Sequence, residues 1–349
     1  MSDAQQAIAR RLARQARACE RVGSPLYATM LERLADDTEA GGVGWLVLRG
    51  HEHDPPGSAL GLRLMGAVHR LALNGELKDL AMHYPSTGGD GDREAAWRCL
   101  REALREHAPR LRELASSPVQ TNEVGRSAAL IGGFLTVAQL TGMPLRVLEV
   151  GASAGLNLLF DRYFYASERS SWGSADSAVR LEGAYVGDPP FDADLTVVQR
   201  LGCDLRALDP ADAEDRLTLR SYVWPDQALR LNRLDEALQI AASLPVGVER
   251  ADAADWLERR LAQQPAGVAS VVFHSIFAQY LAAEDRLRMA RLLADAGGRA
   301  TPKAPFAWLR MEPEPLTGAH AEVRLTLWPG GTEKLLATSG YHGDRVRWL

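Results

Sequence analysis

Cysteine is scarce: Cys19, Cys99 and Cys203 are the only three in 349 residues, and none stands in a CxxC pair. This excludes a disulfide framework and a cysteine-rich zinc site, and it fits a reducing cytoplasm. No Lys/Arg block is long enough to form a nucleic-acid footprint, and the formal net charge is -5, so neither DNA nor RNA is an expected partner. Long apolar runs are also missing. The most lipid-like stretch, Ala128 to Leu145, contains Gln139 and two threonines and ends at Gly-x-Pro, which reads as a buried helix rather than a membrane span. The Arg- and Ala-rich N-terminus lacks an apolar targeting core and carries Asp3 and Glu20, as a solvated amphipathic helix would. His51 and His53 have no third ligand in reach of the pattern, so no metal is expected. No internal repeat is visible.

What is present is an ordinary globular composition, 46% hydrophobic and 24% charged, enough for a sizeable core. The chain divides into two regions. Residues 1–117 read as helices and loops, with apolar residues at three- and four-residue spacing in SPLYATMLERLADD and WRCLREALREHAPRLRELA. Residues 118–349 alternate helical stretches with strand-like runs: LRVLEV at 145, AVRLEG at 178, VGVERAD at 246, VASVVFH at 268 and PFAWLRMEP at 305. That alternation predicts parallel βαβ units. The C-terminal AEVRLTLWPGGTEKLLATSG then predicts an antiparallel hairpin at the sheet's edge. The expected fold class is therefore α/β, a Rossmann-like three-layer αβα sandwich with a mostly parallel sheet, preceded by a helical region. The long interval 184–245 is expected to be an insertion over the active face.

The stretch RVLEVGASAGLNLLFDRY supports two readings. As G-x-S-x-G it offers Ser153 as a hydrolase nucleophile, with Asp226 and His274 or His342 as triad partners. That elbow would take LNLLFDRYF as its helix, whereas a strand ending in an acid and glycines offers a cofactor turn. Glu149 favours the second reading, because a buried carboxylate two residues before Gly151 needs a partner and has no task in a nucleophile elbow. The NAD pattern G-x-G-x-x-G is not met, since position 153 is Ser and position 156 is Leu.

VLEVGASAG resembles the first motif of class I S-adenosylmethionine-dependent methyltransferases. By that resemblance Glu149, Gly151, Ala152, Ser153, Gly155 and Asn157 lie against S-adenosylmethionine, Glu182 closes the second strand toward the ribose, and Asp252 follows the third strand near the adenine. The segments SPLYATML, VQTNEVGRSAAL, GASAGLNLLFDRY, VWPDQ and VVFHSIFAQYL are also similar, in order, to a bacterial family of unknown function, across nearly the whole chain.

Candidate chemistry follows from placement. His274 and Asp226 are the candidate catalytic residues, His274 as a general base at the carboxyl end of the fourth strand with an ordinary pKa of about 6.5. Asn122, Arg126, Trp224, Gln227 and Ser275 are candidate cleft residues, with helix capping as the alternative role for Asn122 and its neighbours. His69 and Arg70, amid apolar neighbours, invite a structural ion pair. The leading expectation is a methyltransferase acting on a small molecule. A serine hydrolase and a non-catalytic ligand-binding protein of the same fold remain as alternatives.

Overall fold

The computed structural model describes residues 2–349, which form two compact units: one of 2–121 with 213–232, the other of 122–212 with 233–349.

The first unit is helical. Its helix Asp3–Arg21 starts in a capping box, where Ser2 accepts from Gln5 N and the Gln5 side chain accepts from the Ser2 N–H. Ile8, Leu12, Ala16 and Cys19 fall on one stripe, and all four are buried. Ser24 caps the helix Pro25–Glu39, with Pro25 in the first turn. The two helices share a core with the helices Leu60–Leu73, Arg93–Glu106 and Ala108–Ala115 and with Trp224.

The second unit is built on a nine-stranded sheet. Its principal strands, in chain order, are β1 (Leu145–Val150), β2 (Val197–Asp204), β3 (Val248–Arg250), β4 (Ala269–Ser275), β5 (Phe306–Pro313), β6 (Ala321–Trp328) and β7 (Thr332–Ser339). They lie in the order β3-β2-β1-β4-β5-β6-β7, and short strands at Val346–Trp348 and Tyr185–Val186 extend the far edge. β1 to β5 are mutually parallel, and β6 and β7 continue antiparallel as the hairpin pattern predicts. The chain runs from β1 outward through β2 to β3, then crosses to β4 and β5 on the other side. The order therefore reverses between β1 and β4, the place where open parallel sheets bind ligands at their carboxyl ends.

Side chains alternate between the two faces. Leu148 and Val150 of β1, Val272 of β4 and Phe306 of β5 pack with Trp256, Met289 and Leu293 from the helices Ala253–Leu261 and Ala283–Gly298. On the other face Phe273 meets Phe134 of the helix Arg126–Thr141, edge to face at 5.0 Å, and Phe134 stacks on Phe160 at 3.9 Å. Gly142, at φ 63, ends that helix before β1. This is the expected three-layer Rossmann-like sandwich.

Three expectations need correction. The interval 184–245 is not a simple insertion, because it contains β2, the strand beside β1, and because 213–232 belongs to the helical unit. β2 carries no apolar strand pattern because β3 covers only Gly202–Asp204, leaving the first half of β2 as an edge that admits Gln199 and Arg200. AVRLEG does form a strand, Arg180–Glu182, but in a separate three-stranded sheet with Phe164–Ala166 and Ser171–Trp172. LNLLFDRYF supplies a 3-10 segment, Leu156–Arg162, in place of an α-helix.

Candidate functional site at the carboxyl ends of the parallel strands

The turn after β1 holds three residues with positive φ within five positions, Gly151 at 70°, Ser153 at 54° and Gly155 at 75°. Gly151 is required twice over: its φ suits glycine, and a Cβ would stand 2.3 Å from Cδ2 of Phe277. Gly202 on β2 leaves the room that Ala152 occupies, since a Cβ there would come within 2.9 Å of the Ala152 Cβ.

The N–H groups of this turn are taken up inside the protein. Ala152 N–H donates to Cys203 O (3.0 Å), Ser153 N–H to Asp204 Oδ2 (3.0 Å) and Gly155 N–H to Ala152 O (2.7 Å). Asn122 Oδ1 accepts from Ala154 N–H and Leu156 N–H at 3.2 and 2.9 Å. A phosphate therefore finds no ring of free amides here, unlike the amide cradles that bind pyrophosphate.

What the site offers instead is carboxylate. Glu149, at the end of β1, is 2% exposed, and its Oε2 has no hydrogen-bond partner. Burial, reinforced by the negative charge of Asp204, drives its pKa well above the usual carboxyl range, against the opposing effects of Arg126 and a hydrogen bond with Asn157. Asn157 is itself oriented by Ser127, whose Oγ donates to its Oδ1 at 2.8 Å. Arg126 donates from Nη1 to Ser275 O and from Nε to Tyr341 O, both at 3.1 Å, and so ties the start of its helix to the end of β4.

Asp204 was not singled out by the sequence, although GCD closes an apolar strand end as Glu149 closes VLEV. Its two oxygens accept from Ser153 N–H and Arg206 N–H (2.8 Å), placing its carboxylate directly on the glycine turn. Asp252 follows β3 and caps the next helix, accepting from Ala254 N–H and Asp255 N–H at 2.9 and 3.1 Å. Glu182 does not join this group. It is exposed in the small sheet, where Arg180 pairs with it at 2.6 Å, so the second-strand acid is Asp204.

His274 also departs from its expected place. Phe273 is the residue in register with Glu149, so His274, one position on, faces the opposite layer. It is fully buried and both ring nitrogens are engaged: Trp308 Nε1–H donates to Nε2 at 3.1 Å, and Nδ1 lies 2.6 Å from Glu312 Oε1. The indole can only donate, which assigns the proton to Nδ1 and leaves no nitrogen for a substrate.

Trp224, Asp226 and Gln227 lie in the helical unit. Asp226 Oδ1 accepts from Ser24 Oγ (2.6 Å) and Oδ2 from Leu26 N–H (3.0 Å), while Gln227 Nε2 donates to Val22 O (2.9 Å). Asp226 is thus an anchor holding 213–232 to the first helices, a role that a carboxylate at a helix start fills well. His69 and Arg70 are internal to the same unit. His69 contacts Ser221 O and Ser86 Oγ, with burial lowering its pKa to about 4, and Arg70 pairs with Glu214. Ser153 Oγ is buried with no hydrogen-bond partner, so no base is engaged with it.

A model of the family described as uncharacterized protein conserved in bacteria (DUF2332) matches residues 9–348, and the chain belongs to that family. Among curated proteins and among solved structures, nothing matches.

Proposed function

We propose that this chain binds S-adenosylmethionine at the carboxyl ends of β1, β2 and β4 and transfers its methyl group to a small molecule. The observation that carries this reading is the buried, half-unpartnered carboxyl of Glu149 beside a turn whose amides are already satisfied. A site built this way suits a ligand that brings hydrogen-bond donors and positive charge. It does not suit one that brings phosphates.

The residues fit such a cofactor. Glu149 Oε2 would accept from an ammonium group, which compensates the burial of the carboxylate. Asp204, held on the turn through Ser153 N–H, retains lone pairs for ribose hydroxyls. Asp252, committed to its helix cap, borders the same edge beyond β3. When bound, S-adenosylmethionine would supply an electrophilic methyl on a sulfonium. The protein would align the acceptor and exclude water, with Phe277 and the segment after β4 forming a side of the site. No proton transfer is assigned to His274, which touches only Trp308, Glu312 and packing neighbours.

The hydrolase reading draws no comparable support, since it needs a base hydrogen-bonded to Ser153. The test is calorimetric titration of S-adenosylmethionine and S-adenosylhomocysteine into the wild type and Glu149→Ala. Saturable binding, weakened about tenfold or more by the substitution, supports the reading. Absence of binding to the wild type rejects it, and unchanged binding by Glu149→Ala removes the role given to Glu149.

A further inference from the structure

Immediately after β4 the chain does something costly: Ile276, a β-branched residue, adopts φ 50 in the left-handed region. The kink is held from β5. Ile276 N–H donates to Met311 O at 2.8 Å, and the next two amides, Phe277 N–H and Ala278 N–H, both donate to Glu312 Oε1 at 3.0 and 3.1 Å. The same oxygen accepts a hydrogen bond from His274 Nδ1–H, and His274 is oriented in turn by the Trp308 indole. The result is that the Phe277 ring lies on the Cα of Gly151, the first residue of the glycine turn. Glu312 Oε2 is buried and has no partner, so the hydrogen bonds of this carboxylate all fall on Oε1, the oxygen shared by His274 and the two amides of the kink.

We propose that Trp308, His274 and Glu312 form a positioning relay that locks the segment Ile276–Tyr280 in its kinked form, so that Phe277 makes a wall of the ligand site against Gly151. The lock stands on the geometry alone, while the ligand behind the wall rests on the cofactor reading above. Neither His274 nor Glu312 acts on the reacting atoms. They determine where Phe277 stands, which explains why a buried histidine occupies the last strand position but one without access to a substrate. A residue that merely filled space at 312 would leave two adjacent, partly buried amides without their acceptor, and the left-handed Ile276 would relax.

The test combines peptide-resolved hydrogen exchange over 276–280 with titration of S-adenosylhomocysteine, on the wild type, Glu312→Ala, Glu312→Gln and Trp308→Phe. In Glu312→Ala, exchange at the Phe277 and Ala278 amides should rise about tenfold or more while the strands keep their protection, and the dissociation constant should rise about tenfold. Glu312→Gln, which keeps an acceptor oxygen, should recover most of both effects. Trp308→Phe, remote from the ligand, should still accelerate exchange at the same amides. Wild-type exchange in folded Glu312→Ala overturns the proposal, as does wild-type affinity in that variant. If Glu312→Ala does not fold, wild-type exchange in Trp308→Phe overturns it. If the wild type does not bind S-adenosylhomocysteine, the cofactor reading falls and the exchange measurements alone decide the lock.

Discussion

Two carboxyl groups, Glu149 just before the glycine turn and Glu312 on β5, carry opposite electrostatic signatures. Burial and the neighbouring Asp204 raise the pKa of Glu149, so folding is favoured with the group protonated. Its contribution is fully present below the ordinary value of 4.5 and is lost as pH rises from there toward the folded-state value. Glu149→Gln, which mimics the protonated acid, should therefore unfold at higher urea than the wild type at pH 8, by at least about 1 kcal/mol, with the difference vanishing near pH 4. At Glu312 burial pushes the pKa up, but hydrogen bonds from His274, Phe277 and Ala278 outweigh it and hold it below 4.5. Stability from this group is present above 4.5 and is lost as pH falls through the folded-state value. Urea midpoints of Glu312→Gln and the wild type should therefore converge as the pH is taken down through that range. Gly151 gives a steric counterpart: Gly151→Ala meets the Phe277 ring and a left-handed φ together and should cost about 1–3 kcal/mol in urea unfolding.

At the scale of elements, the glycine turn is held less by its own glycines than by Asn122, whose single oxygen satisfies two buried amides from a distant part of the chain. Asn122→Ala should destabilise by about 2 kcal/mol and speed hydrogen exchange across 152–158, measurable by mass spectrometry. How much of this was legible in the sequence differs by element. β1, β4, β5 and the β6–β7 hairpin announce themselves by apolar runs and alternation, and Glu149 by its place between a strand and glycines. β2 does not, because half of it is an edge and its polar residues are used locally: Arg200 Nε donates to Leu158 O, and Gln199 accepts from Arg146 Nε. Asp204 was lost with it. His274 shows a different limit. Pattern places it correctly at a strand end, but which face it occupies is set by register, and a shift of one residue moves a side chain from one layer to the other. The hydrogen bonds of Asn122, Asp226 and Glu312 span long sequence separations and leave no periodic trace.

At the scale of the whole molecule, the helical unit is discontinuous. Its core includes Trp224, and Asp226 and Gln227 fasten 213–232 to the first two helices. A fragment of 1–121 should accordingly melt broadly and at low temperature by circular dichroism, and a peptide of 213–232 added in trans should sharpen and raise the transition; no response to the peptide would contradict this assignment. The same discontinuity bears on synthesis. About a hundred residues separate Thr121 from the end of the segment that completes its unit, which at ordinary translation speeds is a wait of roughly 5–20 s. During that interval the nascent helices present an open apolar seam where Trp224 will later sit, a surface suited to a ribosome-associated chaperone.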